Sequence, residues 1–378
     1  YISTYRSNSF RYQMFGMDRK NIKFSFKFEN GKRVISGAKH KLTGKEYDSD
    51  RFYINSTGRI LESGVPDYFI INENGNRLIL KESSQVLGVE YFKNIPRKNW
   101  GLGSIFADIN NDYLDDLYVC NDLEESDYFI VSDGTRFRDC IMLVIKNSAM
   151  FSMGIDVADI NNDQKSDVFI CDMLNNNLSE RRKQMHRYPY LQLNQKKPFI
   201  SYQNNRNMLF IGNEYAEFDE IAYYSGIESS DWSWVPIFMD VDLDGYQDLI
   251  VTNGFAFDIE NIDIYKLLNE WVASNGAIPF KLTEENFDKR LVRNEANYVF
   301  KNNRDLTFTD KAKDCGFLFK GITHGACLAD LDNDCDEDLI LNNFSLYSNR
   351  ESKSDDVTYY SDPIAVSYTH LRAHETLR

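Results

Sequence analysis

The sequence contains no apolar run approaching the ~20 residues of a membrane-spanning helix, so no membrane span is expected in it. It is also short of positive charge, with 43 Lys and Arg against 58 Asp and Glu and a net charge of −15. Duplex nucleic acid is therefore not expected as a partner, because that binding rests on neutralising phosphates with Lys and Arg. Cysteine is sparse: Cys120, Cys140, Cys171, Cys315, Cys327 and Cys335 show neither zinc nor redox spacing. Cys120 and Cys171 fill matching slots in two strand-like runs, which reads as free buried thiols rather than a disulfide framework. No phosphate-cradling Gly-rich loop and no nucleophile elbow occurs.

What the chain does have is enough apolar material for a large core, 42% hydrophobic and 14% aromatic over 378 residues, compatible with one big all-β unit. It also has acidic side chains packed too closely to be stable without a positive charge among them. In "DVDLDGYQDLIVTNG" (240–254), Asp240, Asp242, Asp244 and Asp248 stand at positions 1, 3, 5 and 9 of one loop. Alternate side chains of a tight turn converge on a point, and calcium takes six to eight oxygens at about 2.3–2.6 Å. Gly245 at position 6 permits a sharp turn, and Tyr246 at position 7 would lend its backbone carbonyl.

The spacing recurs three times. It is met in Asp108, Asn110, Asp112 and Asp116; in Asp159, Asn161, Asp163 and Asp167; and in Asp330, Asp332, Asp334 and Asp338. The matching carbonyl positions are Leu114, Lys165 and Asp336. An EF-hand needs a bidentate Glu at position 12 and a following helix. Here position 12 is Val119, Ile170, Val251 or Leu341, each inside a β-branched or aromatic run that reads as a strand. Four divalent ions would bring the net charge from −15 to −7, so much of the acidity is explained by metal.

Loop starts lie 51, 81 and 90 residues apart, which suits a propeller of four-stranded blades, period near 50, enlarged by insertions. The first interval reads as a whole unit: "SIFADI", the loop, "DLYVCN", "DYFIVSDG" and "RFRDCI" (104–141). "DYFIINENG" (67–75), "NMLFIGN" (207–213) and "NYVFKNN" (297–303) read as further third strands, and "RLIL", "EFDEIA" and "TFTDKA" as fourth strands. "YIST" at residues 1–4 resembles the strand after each loop, so the chain is expected to start just after a lost loop.

Three insertions depart from the repeat, about 5–66, 175–206 and 258–292. In the first, Ile22, Phe24, Phe26 and Phe28 alternate with polar residues before Asn30–Gly31, a hairpin signal. The second holds the basic run "SERRKQMHRYPY" (179–190) with Lys196 and Lys197 beyond, which reads as a solvated insertion. The third carries Ile264, Leu267, Leu268, Trp271 and Val272 at helical spacing, an amphipathic helix ending near Gly276 that packs on a blade edge. Trp232 and Trp234, two apart on one strand face, read as core packing rather than a sugar platform, and His324 as structural. Residues 366–378, "VSYTHLRAHETLR", resemble translated sequencing adaptor and are set aside as a non-native tail.

With these pieces in place the chain resembles the FG-GAP/VCBS-repeat β-propellers of the cartilage-acidic-protein (ASPIC-associated) type. The resemblance runs over roughly 60–345, through "WGLGSIFADINNDYLDDLYVCND" (100–122), "FSMGIDVADINNDQKSDVFICDML" (151–174), "DWSWVPIFMDVDLDGYQDLIVTNG" (231–254) and "GACLADLDNDCDEDLILNN" (325–343). It implies a non-catalytic, calcium-binding, secreted, surface or periplasmic propeller that binds protein or glycan, with metal ligation at positions 1, 3, 5 and 9. Position 6 is Tyr113, Gln164 and Cys335 in three loops where the family usually has Gly, which argues against tight calcium binding there. The expected architecture is a partial propeller over 1–365, about five blades in an incomplete ring with exposed strand edges. The competing expectation is a propeller-fold polysaccharide lyase or hydrolase, which needs an off-repeat cluster of carboxylate, His or Tyr with Arg in one cleft.

Overall fold

A computed structural model of the chain describes residues 22–41, 44, 46–47, 51–54, 60–62, 67–87, 100–122, 126–185, 202–214, 217–255, 261–263, 266, 270, 295–318, 321–334 and 336–344. The "YIST" segment, the apolar stripe residues Ile264, Leu267, Leu268, Trp271 and Val272, the basic run beyond Met185, Lys196, Lys197, Cys335 and the 366–378 tail lie outside those residues. Of the expected helix, Ile262, Asp263, Lys266 and Glu270 are described, and all four are helical. The described chain is mostly β, in small and mainly antiparallel sheets, as expected of an all-β protein; no sheet among the described residues closes on itself. It divides into two compact units, Tyr1–Leu102 and Gly103–Arg378.

In the first unit, β1 (Ile22–Glu29) and β2 (Lys32–His40) form the expected hairpin, extended by β3 (Glu46–Tyr47). Asn30 and Gly31 both take positive φ, 48° and 74°, the two-residue turn whose twist matches that of paired strands. The alternating face packs with β4 (Phe52–Ile54) and β5 (Ile60–Glu62): Ile22, Ala38 and Phe52 are buried, and Phe24 and Tyr47 meet Phe52 edge-on at 5.2 and 5.7 Å. A second hairpin, β6 (Tyr68–Glu73) and β7 (Arg77–Glu82), runs into the short helix α1 (Ser83–Val86).

The second unit repeats one pattern. The strands β8 (Gly101–Ala107), β9 (Asp116–Asn121), β10 (Tyr128–Ser132) and β11 (Phe137–Asp139) form a four-stranded meander. After α2 (Ile141–Val144) and β12 (Asn147–Ala149), the next sheet uses β13 (Gly154–Ala158) and β14 (Asp167–Cys171). An excursion through α3 (Leu178–Met185) and β15 (Tyr202–Asn204), which pairs in parallel with β12, then returns to β16 (Met208–Gly212) and β17 (Phe218–Glu220). Beyond α4 (Ala222–Ser225), β18 (Ser233–Met239), β19 (Asp248–Asn253), β20 (Tyr298–Asn302) and β21 (Phe308–Asp310) make the third sheet. Two strands, β22 (Ile322–Ala329) and β23 (Asp338–Phe344), follow. The segments read as third and fourth strands of the first three repeats are β10, β11, β16, β17, β20 and β21.

The second strand of each four-stranded sheet is buried along its whole length, which is why "DLYVCN", "DVFIC" and "DLIVTN" lack alternation. Their two faces feed separate layers. Tyr118 and Cys120 share a core with Phe129, Val168, Ile170, Met208, Phe210 and Phe218, bridging the first and second sheets. Ile250 and Val299 pack with Phe317, Leu339 and Leu341, bridging the third sheet and the last strand pair. Neighbouring first strands come together at glycine: a Cβ on Gly154 would lie 2.2 Å from the Trp234 carbonyl oxygen, so only Gly lets β13 lie this close to β18.

Candidate metal centre

Each acidic loop joins the first strand of a sheet to the second, and their local geometry repeats. The position-1 carboxylate caps the turn by accepting two backbone N–H groups, those of positions 5 and 6. Asp108 takes Asp112 N at 2.9 Å and Tyr113 N at 2.7 Å; Asp159 takes Asp163 N and Gln164 N at 3.0 and 2.7 Å; Asp240 takes Asp244 N and Gly245 N at 2.9 and 2.7 Å. In the fourth loop Asp330 accepts Asn333 N at 2.7 Å. Position 5 in turn accepts the N–H of position 7: Leu114, Lys165, Tyr246 and Asp336 donate to Asp112, Asp163, Asp244 and Asp334 at 2.9, 3.0, 3.1 and 3.3 Å.

The turn is left-handed at two places. Position 6 has φ of 67° at Tyr113, 67° at Gln164 and 86° at Gly245, so the conformation is held with or without glycine. Position 4 has φ of 61° at Asn111, 60° at Asn162, 56° at Leu243 and 61° at Asn333. The asparagines there are a signal the motif reading passed over, since Asn is among the few residues that visit this region readily.

Position 9 is set apart from the rest. Asp116, Asp167 and Asp248 are buried, and each spends one oxygen on the start of its loop and the other on the end of the third strand. The loop contacts are Asn110 N at 3.3 Å, Ile160 N at 3.0 Å and Val241 N at 3.1 Å. The third-strand contacts are Ser132 N at 3.0 Å, Gly212 N at 2.9 Å and Asn302 N at 2.7 Å. Asp338 keeps the loop contact, with Leu331 N at 3.0 Å. Burial pushes the pKa of Asp116 and Asp248 up to about 6 and that of Asp167 to about 7, against the lowering effect of these N–H groups.

Two loops bring three carboxylates together with ligand atoms within 4.8 Å of one another: Asp240, Asp242 and Asp244 in the third, and Asp330, Asp332 and Asp338 in the fourth. Both groups could hold a metal ion. The chemistry of the donors fits a hard cation, because all are carboxylate oxygens. Asp242 Oδ1 is buried without a hydrogen-bond partner, and each Asp240 oxygen accepts one backbone N–H, leaving lone pairs for a ligand. In the first two loops position 3 is Asn110 or Asn161; each accepts the position-5 N–H at 3.0 Å.

Elsewhere, Trp232 is buried and stacks on Phe255 at 3.9 Å, as core packing requires. Trp234 donates Nε1–H to the Gly254 carbonyl at 2.7 Å and lies 4.0 Å from His324, whose pKa desolvation lowers. Within the described part of the basic run, Arg181 is tied to Asn175 O and Ser229 Oγ at 2.9 and 2.7 Å, and Lys183 to Glu180 at 2.7 Å. The five described cysteines are free; Cys120 and Cys171 are buried as expected, but Cys327 is exposed, because it lies on the half-covered strand β22.

One buried polar arrangement went unnoticed in the sequence. The Asx that precedes each third strand accepts the N–H of the last residue of the second strand or the residue just after it. Asp127 binds Asn121 N at 2.8 Å, Asn207 binds Asp172 N at 2.8 Å and Asn297 binds Asn253 N at 2.7 Å. The same side chains reach a hydroxyl near the first strand of the following sheet: Ser152, Ser230 and Thr323 at 2.7, 2.7 and 3.3 Å. Visible in "DYFI", "NMLF" and "NYVF", these residues had no motif to mark them.

A scan against protein-family models and a search of curated proteins each found no match for this chain.

Proposed function

We propose that the chain is a non-catalytic β-propeller of the FG-GAP/VCBS-repeat type, secreted or surface-exposed, whose acidic loops hold calcium and whose faces bind a protein or glycan. The observation that carries this reading is the recurrence of one loop geometry at one place in the repeat. Capping by position 1, left-handed positions 4 and 6, and the buried brace at position 9 recur between first and second strands. The latches from each third strand to the following sheet suit blades laid side by side.

Calcium on this reading is structural. Without it, three carboxylates within 4.8 Å repel one another by a few kcal/mol per close pair at an effective dielectric near 20. With it, repulsion becomes attraction and the turn is locked. Extracellular calcium modules bind at about 10⁻⁴–10⁻³ M, and that range is expected here. The test is a calorimetric calcium titration with thermal melts in calcium and in chelator. Saturable binding and a raised melting temperature support the reading; absence of both refutes it. Turnover of a polysaccharide, abolished by a face mutation and not by loop Asp mutations, would replace it with the enzyme reading.

A further inference from the structure

We propose that Lys301 is a built-in counter-ion of the third acidic loop, closing it without metal and competing with a divalent cation for Asp242 and Asp244. The inference rests on the calcium reading above and adds a regulator to one of its sites. Strand β20 brings Lys301 Nζ into an ion pair with Asp242 Oδ2 and within 3.4 Å of Asp244 Oδ2. From the turn after β20, Arg304 Nη2 lies 2.8 Å from Asp244 Oδ2, its guanidinium 5.0 Å from the Tyr246 ring.

The register shows that this is a departure from the repeat. Phe300, Ile130 and Phe210 pair with the residue just after position 9, at Leu249, Leu117 and Val168. One residue further on, the third sheet has Lys301 where the first has Val131 and the second Ile211. The lysine therefore accompanies the one loop of the three whose positions 1, 3, 5 and 9 are all Asp. At positions 1, 3, 5 and 9 its four negative charges fall to a net −2 once Lys301 and Arg304 are counted, fewer than the −3 at the same positions of the first loop.

The ammonium does only part of what a metal would. It carries one charge and three donors, and it engages Oδ2 of Asp242 while Oδ1 stays buried and without a partner. Calcium collects six to eight oxygens, so it must draw in that oxygen and move Nζ away from Asp242 and Asp244. The third loop is thus held in shape in the absence of calcium, and it binds calcium more weakly than its four aspartates would alone.

Calcium alone is titrated by calorimetry into the full chain as wild type, K301M and K301M/D244N, and each protein is melted in chelator. The expected result is one site tightened about three- to fivefold in K301M, the scale of a part-exposed ion pair, and abolished in K301M/D244N. In chelator K301M should melt below wild type, and D242N, which removes the partner charge, should shrink the effect of K301M. Saturable calcium binding in wild type with an unchanged curve and chelator melt in K301M overturns the counter-ion and leaves the calcium reading standing. No saturable binding in any of the proteins overturns the calcium reading and the competition together.

Discussion

Replacing Asp127 with Asn should remove a pH dependence built into the second unit. The Asp127 carboxyl is buried and accepts three hydrogen bonds, from Asn121 N at 2.8 Å, Tyr118 Oη at 2.9 Å and Ser152 Oγ at 2.7 Å. Burial, the largest influence, pushes its pKa up to about 7, against the lowering effect of those donors. The titratable groups that feel its charge are Tyr118 and Cys120 on β9, both held neutral by burial. The folded pKa lies above the ~3.9 of a free Asp, so the folded protein binds the proton more tightly than the unfolded chain does. Stability from this group is fully present below about pH 4 and is lost as pH rises to about 7. Three pKa units correspond to roughly 4 kcal/mol as an upper figure, or roughly 10 °C in melting temperature for a unit of this size.

Asparagine should fit, because Asn207 and Asn297 occupy the same place in the next two sheets and donate Nδ2–H to Ser230 and Thr323. The variant loses one acceptor for the Tyr118 hydroxyl, a cost of about 1 kcal/mol. Melts of wild type and D127N from pH 4 to 9, followed by circular dichroism in chelator, should cross. D127N is slightly less stable at pH 4 and clearly more stable at pH 8. Asp116, Asp167 and Asp248 titrate in the same range in both proteins, so the difference between the curves isolates Asp127. Parallel curves, or a D127N that is the weaker protein at pH 8, would refute the reasoning.

Other outcomes are equally open to measurement. Gly154→Ala should destabilise by about 3 kcal/mol or more in denaturant titrations, since its Cβ would meet the Trp234 carbonyl at 2.2 Å. Phe210→Ala, in the core shared by the first and second sheets, should cost about 3–5 kcal/mol. At position 6, Gly245→Ala should lose about 1 kcal/mol, whereas Tyr113→Gly should gain a few tenths to 1 kcal/mol by relieving a φ of 67°; urea midpoints distinguish them. A thiol reagent should label exposed Cys327 rapidly and leave Cys120 and Cys171 untouched until the protein unfolds, because burial raises both of their pKa values.

Much of the fold was legible because it is written in short-range pattern. The 1, 3, 5, 9 spacing is a property of nine consecutive residues, and a turn that caps its own N–H groups forms from those residues alone. The buried second strands announced themselves as unbroken apolar runs, and Asn30–Gly31 marked its hairpin through the one backbone conformation it prefers. What sequence could not convey was which distant atoms complete each loop. Asp248 looks like any other aspartate at position 9, yet it is buried and bound to Asn302 N, 54 residues away. Lys301 looks like an ordinary surface lysine until the pairing of β19 with β20 sets it beside Asp242. Local turns and strand types follow from backbone sterics and periodicity, which act over a few residues. Burial, the pKa shifts it causes and the pairing of charges depend on which strands lie together, and only the packed sheets decide that.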